Sequence, residues 1–143
     1  MSEAGLYLHI DSIVCVIIKK IISLLLVKWK NMTYSEKYDL ITKAIRDKGN
    51  EILPSGSRIV LYGSRARGDF REDSDWDIHI LIPGENRVPL SQVDSYLFPL
   101  TRLGWEYDEE FSTILYSYGD WEKRKYNPFY ENVEKDKIII LKK

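Results

Sequence analysis

The sequence predicts a small mixed α/β (α+β) domain, with helices packed on a small mixed β-sheet. Three observations carry that prediction. Helical and strand-like periodicities alternate from Thr33 to Lys142. The strand-like runs are short and bounded by Gly, Ser and Pro. The chain has 143 residues, 44% of them hydrophobic and 30% charged, which is the size and balance of one folded domain.

Residues 1–31 stand apart. Ile13 to Val27, "IVCVIIKKIISLLLV", is apolar except for Ser23 and the central Lys19–Lys20. A membrane span needs about 18 or more apolar residues, and the longest uninterrupted run here is Ile13–Ile18. Glu3 and Asp11 precede the run and no small-residue cleavage site follows it, so it does not fit a signal peptide. Residues 1–31 are therefore an N-terminal apolar extension and residues 32–143 the domain proper. The simplest account makes the extension dispensable, an upstream translation before a start at Met32. The rivals are a helix packed on the domain and a membrane-surface helix with Lys19, Lys20, Lys28 and Lys30 facing headgroups.

Thr33 followed by Glu36 forms a capping box, and Tyr34, Tyr38, Ile41 and Ile45 then recur at helical spacing. Gly49 either ends this helix or lies within it, and Pro54 stops it. Arg58–Tyr62, "RIVLY", reads as a buried strand. Asp75–Ile82, "DWDIHILI", alternates, with Asp75, Asp77, His79 and Leu81 on one face and Trp76, Ile78, Ile80 and Ile82 on the other. Ser91–Leu103 is helix-like around Val93, Leu97, Leu100 and Leu103, with Pro99 expected to kink or shorten it. Glu110–Ser117 is a third strand. Asp120 is expected to cap a short helix carrying Trp121, "NPFYENV" begins another, and "KIIIL" is a terminal strand. The helices are expected against one face of the sheet.

Net charge is −1, which excludes bulk electrostatic binding of nucleic acid. Cys15 is alone, so no intrachain disulfide forms. His9 and His79 are the two histidines, and a zinc site is not expected. The chain reads as cytoplasmic.

The segment "GSRARGDFREDSDWD", Gly63 to Asp77, carries the chemistry. Gly63 follows directly on a strand, where a glycine lets backbone approach a ligand. Ser64 adds a hydroxyl and an N–H, and a helix starting there presents free N–H groups to an anion. The spacing is neither that of the Walker loop nor that of the dinucleotide fingerprint. Asp75 and Asp77 project from one strand face and repel unless a cation lies between them. Magnesium takes one or two carboxylates plus substrate phosphate oxygens. Phosphates at the glycines and a metal at the aspartates make a layout for nucleotidyl transfer.

Gly63, Ser64, Ala66, Arg67, Gly68, Ser74, Asp75 and Asp77 together resemble the signature of the DNA polymerase beta-like nucleotidyltransferase superfamily, in its minimal stand-alone form. The resemblance implies the nucleotidyltransferase fold and a Mg2+-dependent transfer of a nucleoside monophosphate, AMP from ATP, to a hydroxyl. It implies that Asp75 and Asp77 hold the metal and that a third carboxylate lies on a neighbouring strand. Asp108, Glu109 and Glu110 are the candidates, and Glu110 matches the position best. Gly63, Ser64, Arg65, Arg67 and Ser74 are the implied nucleotide-binding residues. Arg67 either contacts the triphosphate or braces the loop against a carboxylate. Arg65 either reaches a phosphate or is exposed, and Arg71 is surface. His79 reads as structural, Trp76 as core, and Tyr116, Trp121, Phe129 and Tyr130 as packing. Minimal members of this family are often antitoxins that adenylylate a tyrosine of a HEPN-type ribonuclease toxin. Others modify aminoglycosides with an added helical domain, for which this chain has no room. The rival from another class is a binding module that blocks its partner by contact alone.

Overall fold

The computed structural model describes residues 3–143, with side chains from residue 13. The side chains of Glu3, His9 and Asp11 lie outside the described residues. The chain divides into two compact units, 1–39 and 40–143.

The first unit contains α1 (Glu3–Asn31). Among the described residues no helix is long and apolar enough to cross a membrane. Helix α2 (Tyr34–Ile52) starts where the capping box predicts. The Thr33 backbone N–H donates to Glu36 Oε2 at 2.7 Å, and the Glu36 N–H donates back to Thr33 Oγ1 at 3.3 Å. The helix passes through Gly49 and ends just before Pro54. Gly49 faces the sheet closely: an added Cβ would lie 2.5 Å from Ile59 Cδ1 and 2.8 Å from Leu141 Cδ2, so those side chains would have to shift.

The second unit continues with β1 (Arg58–Tyr62), the short helix α3 (Gly63–Arg67), β2 (Trp76–Ile82), α4 (Leu90–Glu106), β3 (Phe111–Ser117), α5 (Tyr118–Glu122), α6 (Pro128–Asp136) and β4 (Ile138–Lys142). The sheet order is β3-β2-β1-β4. β1 runs antiparallel to β2 and β4, and β2 runs parallel to β3. A parallel pair needs a crossover, which α4 provides. Helix α4 runs on through Pro99 instead of stopping there, with Leu100 and Leu103 buried on its inner stripe. Ser117 caps α5 by accepting from the Asp120 N–H at 3.1 Å, so Asp120 lies inside the first turn and is not the cap. Asn127 caps α6, with Pro128 at the first helical position.

Both faces of the sheet are covered, not one. Strand alternation sends Ile59, Leu61, Ile78 and Ile80 one way and Val60, His79 and Leu81 the other. The first set is fully buried with Ile41 and Ile45 of α2 and Leu100 of α4. The second packs with Trp121 of α5 and Val133 of α6. Short as they are, α5 and α6 supply a second apolar layer. Each fully buried Leu, Ile or Val is worth about 1.5–3 kcal/mol relative to exposure.

Candidate functional site

The site lies where β1 ends and β2 begins. Tyr62 is the last residue of β1 and pairs with Asp77 of β2. The chain then turns at Gly63, which has φ +73, into the single turn of α3. Tyr62 supplies no side-chain cap to that turn. Gly68 closes it in the left-handed conformation, its N–H donating to the Ser64 carbonyl at 2.9 Å. The loop 69–75 returns the chain to β2. Its turn is fixed by the Ser74 N–H on the Arg71 carbonyl at 3.0 Å and the Arg71 N–H on Ser74 Oγ at 2.9 Å.

Asp77 lies over Gly63. A Cβ at position 63 would fall 2.1 Å from Asp77 Oδ2. Burial raises the Asp77 carboxyl to about 6, the neighbouring Asp75 charge adds to the rise, and Arg67 opposes it. The Tyr62 hydroxyl is pushed up to about 12 by burial and by the Asp77 and Asp75 charges, so it stays protonated. Sequence reading gave Tyr62 no role beyond the strand. Its place immediately before the glycine turn is the one signal that could have flagged it.

Asp75 falls one residue outside β2, in the loop, so its backbone is held by side chains and not by a ladder. Arg65 does that. Its side chain is 3% exposed. Nε donates to the Ser74 carbonyl at 3.0 Å and the Asp75 carbonyl at 3.3 Å, and Nη2 donates to the Ser74 carbonyl at 2.5 Å and to Glu109 Oε2 at 3.2 Å. The guanidinium also lies over the Trp76 and Phe70 rings, 4.8 and 5.3 Å from their centroids. Arg65 is thus not exposed, and its Nε and Nη2 donors are taken up by the Ser74 and Asp75 carbonyls and by Glu109.

The three carboxylate candidates separate. Glu109 Oε2 also accepts from the Trp76 indole N–H at 3.0 Å, so Glu109 belongs to the Arg65–Trp76 cluster. Asp108 is exposed in the turn before β3, at φ +53. Glu110 is exposed one residue before β3, its carbonyl accepting the Trp76 backbone N–H at 2.8 Å. In the parallel register Asp77 stands beside Ser112, a hydroxyl. Among the described residues no three His, Cys, Asp or Glu side chains are grouped to hold a metal. The structure therefore does not bring Glu110 into one group with Asp75 and Asp77.

Arg67 braces. It donates to Asp136 of α6 at 2.8 Å and to Asp69 at 3.1 Å, and the Asp136 bond leads in raising its pKa. Arg71 is exposed beside Asp73. His79 is buried, its ring centroid 4.2 Å from that of Trp121, and neither ring nitrogen finds a partner. Burial and the Arg58 charge lower it to about 3, so it stays neutral. Tyr116, Phe129 and Tyr130 pack around the same Trp121 ring.

Asp75 and Asp77 fit a magnesium ion. That ion binds through one or two carboxylates plus substrate phosphates at about 2.0–2.1 Å, so a third protein ligand is not demanded. Burial first and the Asp75 charge second raise Asp77, and a cation between the two carboxylates would offset both penalties on its charged form.

A family model described as a nucleotidyltransferase domain matches residues 39–141. A relative from Methanocaldococcus jannaschii, whose name proposes a protein adenylyltransferase, is 30% identical over 81 residues, 57% of this chain and 80% of the relative. The crystal structure of a proposed nucleotidyltransferase from Sulfolobus solfataricus superposes with TM-score 0.53 at 20% identity, over 79% of this chain and 92% of that one, which shows a shared fold. A toxin–antitoxin crystal structure with AMP-PNP reaches TM-score 0.45 at 16% identity, over 68% of this chain and 69% of that one, a likeness too loose to carry an argument.

Proposed function

Given that the chain belongs to the nucleotidyltransferase domain family, we propose that it transfers AMP from ATP to a hydroxyl of a protein, a tyrosine of a HEPN-type toxin. The observation that carries the reading is the Asp77 carboxylate set directly over Gly63. It brings the acidic pair to the turn whose backbone can approach a phosphate chain. The protein acceptor is supported by the name of the Methanocaldococcus jannaschii relative.

In this reading Gly63 and Ser64 bind the β- and γ-phosphates through backbone N–H groups and the Ser64 hydroxyl. Asp75 and Asp77 hold a magnesium ion, which when bound neutralises charge on the phosphate oxygens. The acceptor oxygen forms a bond to the α-phosphorus, the α–β bridging bond breaks, pyrophosphate leaves and the hydroxyl proton is released. Arg67, tied to Asp69 and Asp136, keeps the turn in place and leaves phosphate binding to the backbone.

The test incubates the protein with Mg2+ and ATP labelled on the α-phosphate, together with candidate toxin partners. Label should appear on a partner tyrosine and vanish with Asp75→Asn or Asp77→Asn. Full labelling by the double variant overturns the mechanism. A second reading, inhibition of a partner by contact alone, rests on Glu110, the expected third carboxylate, being exposed one residue before β3. It expects partner binding without labelling, unchanged in the same two variants.

A further inference from the structure

We propose that Arg65 and Glu109 form a positioning pair that sets Asp75 against Asp77 and so governs divalent-cation affinity, an inference that rests on the nucleotidyltransferase reading. Asp75 is the member of the acidic pair that has no place in the sheet, since β2 begins at Trp76. Its neighbouring carbonyls are held instead by a buried guanidinium. Arg65 spans the peptide carbonyls of Ser74 and Asp75 with Nε and that of Ser74 again with Nη2.

Glu109 fixes the guanidinium from the other side and also holds the indole N–H of Trp76. Trp76 lies between the two aspartates in sequence and is 1% exposed. The Trp76 backbone N–H donates to the Glu110 carbonyl at 2.8 Å, so the residue joining Asp75 to Asp77 is held at both its backbone and its indole. Three parts of the site thus meet on one carboxylate: the glycine turn through Arg65, the acidic pair through Trp76, and the entry to β3 through Glu109 itself.

The planar fork matters. A lysine keeps the charge but presents one ammonium, which cannot serve two successive carbonyls and a carboxylate in the same geometry. Groups that order metal ligands from outside typically change metal affinity by ~10–100-fold when lost.

The experiment titrates Mn2+ into wild type, Arg65→Lys and Glu109→Gln, reads free Mn2+ by electron paramagnetic resonance, and measures the Tm of each. Arg65→Lys should weaken Mn2+ binding by ~10-fold. Glu109→Gln, whose side-chain oxygen can still accept from Trp76, should weaken it less. In the transfer assay both should raise the half-activating Mg2+ concentration while kcat at saturating Mg2+ stays close to wild type. If Arg65→Lys fails to fold, Glu109→Gln carries the test alone. Lowered Tm with unchanged Mn2+ affinity in the folded variants overturns the positioning role and leaves the nucleotidyltransferase reading standing. Absence of Mn2+ binding by wild type, with or without ATP, overturns the metal reading itself and the inference with it.

Discussion

Asp77 Oδ2 occupies the space into which a Cβ on residue 63 would project, 2.1 Å from it, and Gly63 has φ +73. The glycine therefore serves two needs at once. It takes a backbone conformation that L side chains rarely adopt, and it leaves room for the carboxylate. Gly63→Val should cost roughly 1–3 kcal/mol from the backbone conformation alone, with displacement of Asp77 added to it. Denaturant unfolding should show that loss, and calorimetry should show ATP affinity well below wild type. Wild-type ATP affinity in a folded variant places the phosphates away from this turn.

The raised Asp77 carboxyl makes a prediction about pH. Its folded pKa of about 6 lies above the ordinary 3.8, so folding favours the protonated form. That contribution is fully present below 3.8 and is lost as pH rises through about 6. Without metal, Asp77→Asn should be more stable than wild type at pH 8, and the two should converge as pH falls below 4. Saturating Mg2+ should raise the Tm of wild type at pH 8 and leave that of the variant nearly unchanged. A variant less stable than wild type at pH 8 without metal contradicts the burial and repulsion assigned to Asp77.

The separation of Glu109 from Glu110 predicts two different defects. Glu109 is tied to Arg65 and Trp76, so Glu109→Gln should lower Tm. Glu110 is exposed before β3, so Glu110→Gln should leave Tm unchanged. If Glu110 joins the acidic pair when nucleotide binds, its loss should cut transfer by ~10-fold or more, the scale of perturbed metal sites. Thermal melts and single-turnover labelling on the same samples separate the effects. Wild-type transfer by Glu110→Gln means the site works with two carboxylates.

The sequence and the structure agree where chemistry is local. The Thr33–Glu36 capping box is written within four residues, and the strand run read at Asp75–Ile82 is met by β2 at Trp76–Ile82, one residue shorter and buried on both faces beyond Asp77. The glycine turn and the paired aspartates were legible for the same reason. Arg65 was not, because its partner Glu109 is 44 residues away and nothing in "GSR" records that contact. Nor does local pattern say that Glu109 turns toward Trp76 while Glu110 stays exposed. That choice follows from the reversal at Tyr107–Asp108, where the N–H groups of Tyr107 and Glu109 both donate to the Gly104 carbonyl. The second helical layer was missed because α5 and α6 carry few apolar residues. Their contribution rests on Trp121 and Val133 meeting Val60 and Leu81 from distant strands.

The remaining prediction concerns residues 1–31. The acidic pair, the glycine turn, the Arg65 cluster and both apolar layers are built from residues within 40–143. Helix α2 carries its own start signal, since Thr33 and Glu36 satisfy each other's backbone N–H groups. A chain beginning at Met32 keeps that cap and every buried residue of the core from Ile41 onward. It should unfold in a single cooperative transition, with a Tm within a few degrees of the full chain, and retain full nucleotidyl transfer. The rival, a membrane-surface helix carrying Lys19, Lys20, Lys28 and Lys30, makes a separate claim. The full chain should then co-sediment with anionic vesicles and the shortened chain should not, with affinity falling as salt rises. Loss of cooperative unfolding in the shortened chain means that residues 1–31 stabilise the domain directly. Equal vesicle binding by both chains removes the membrane role and leaves the extension dispensable.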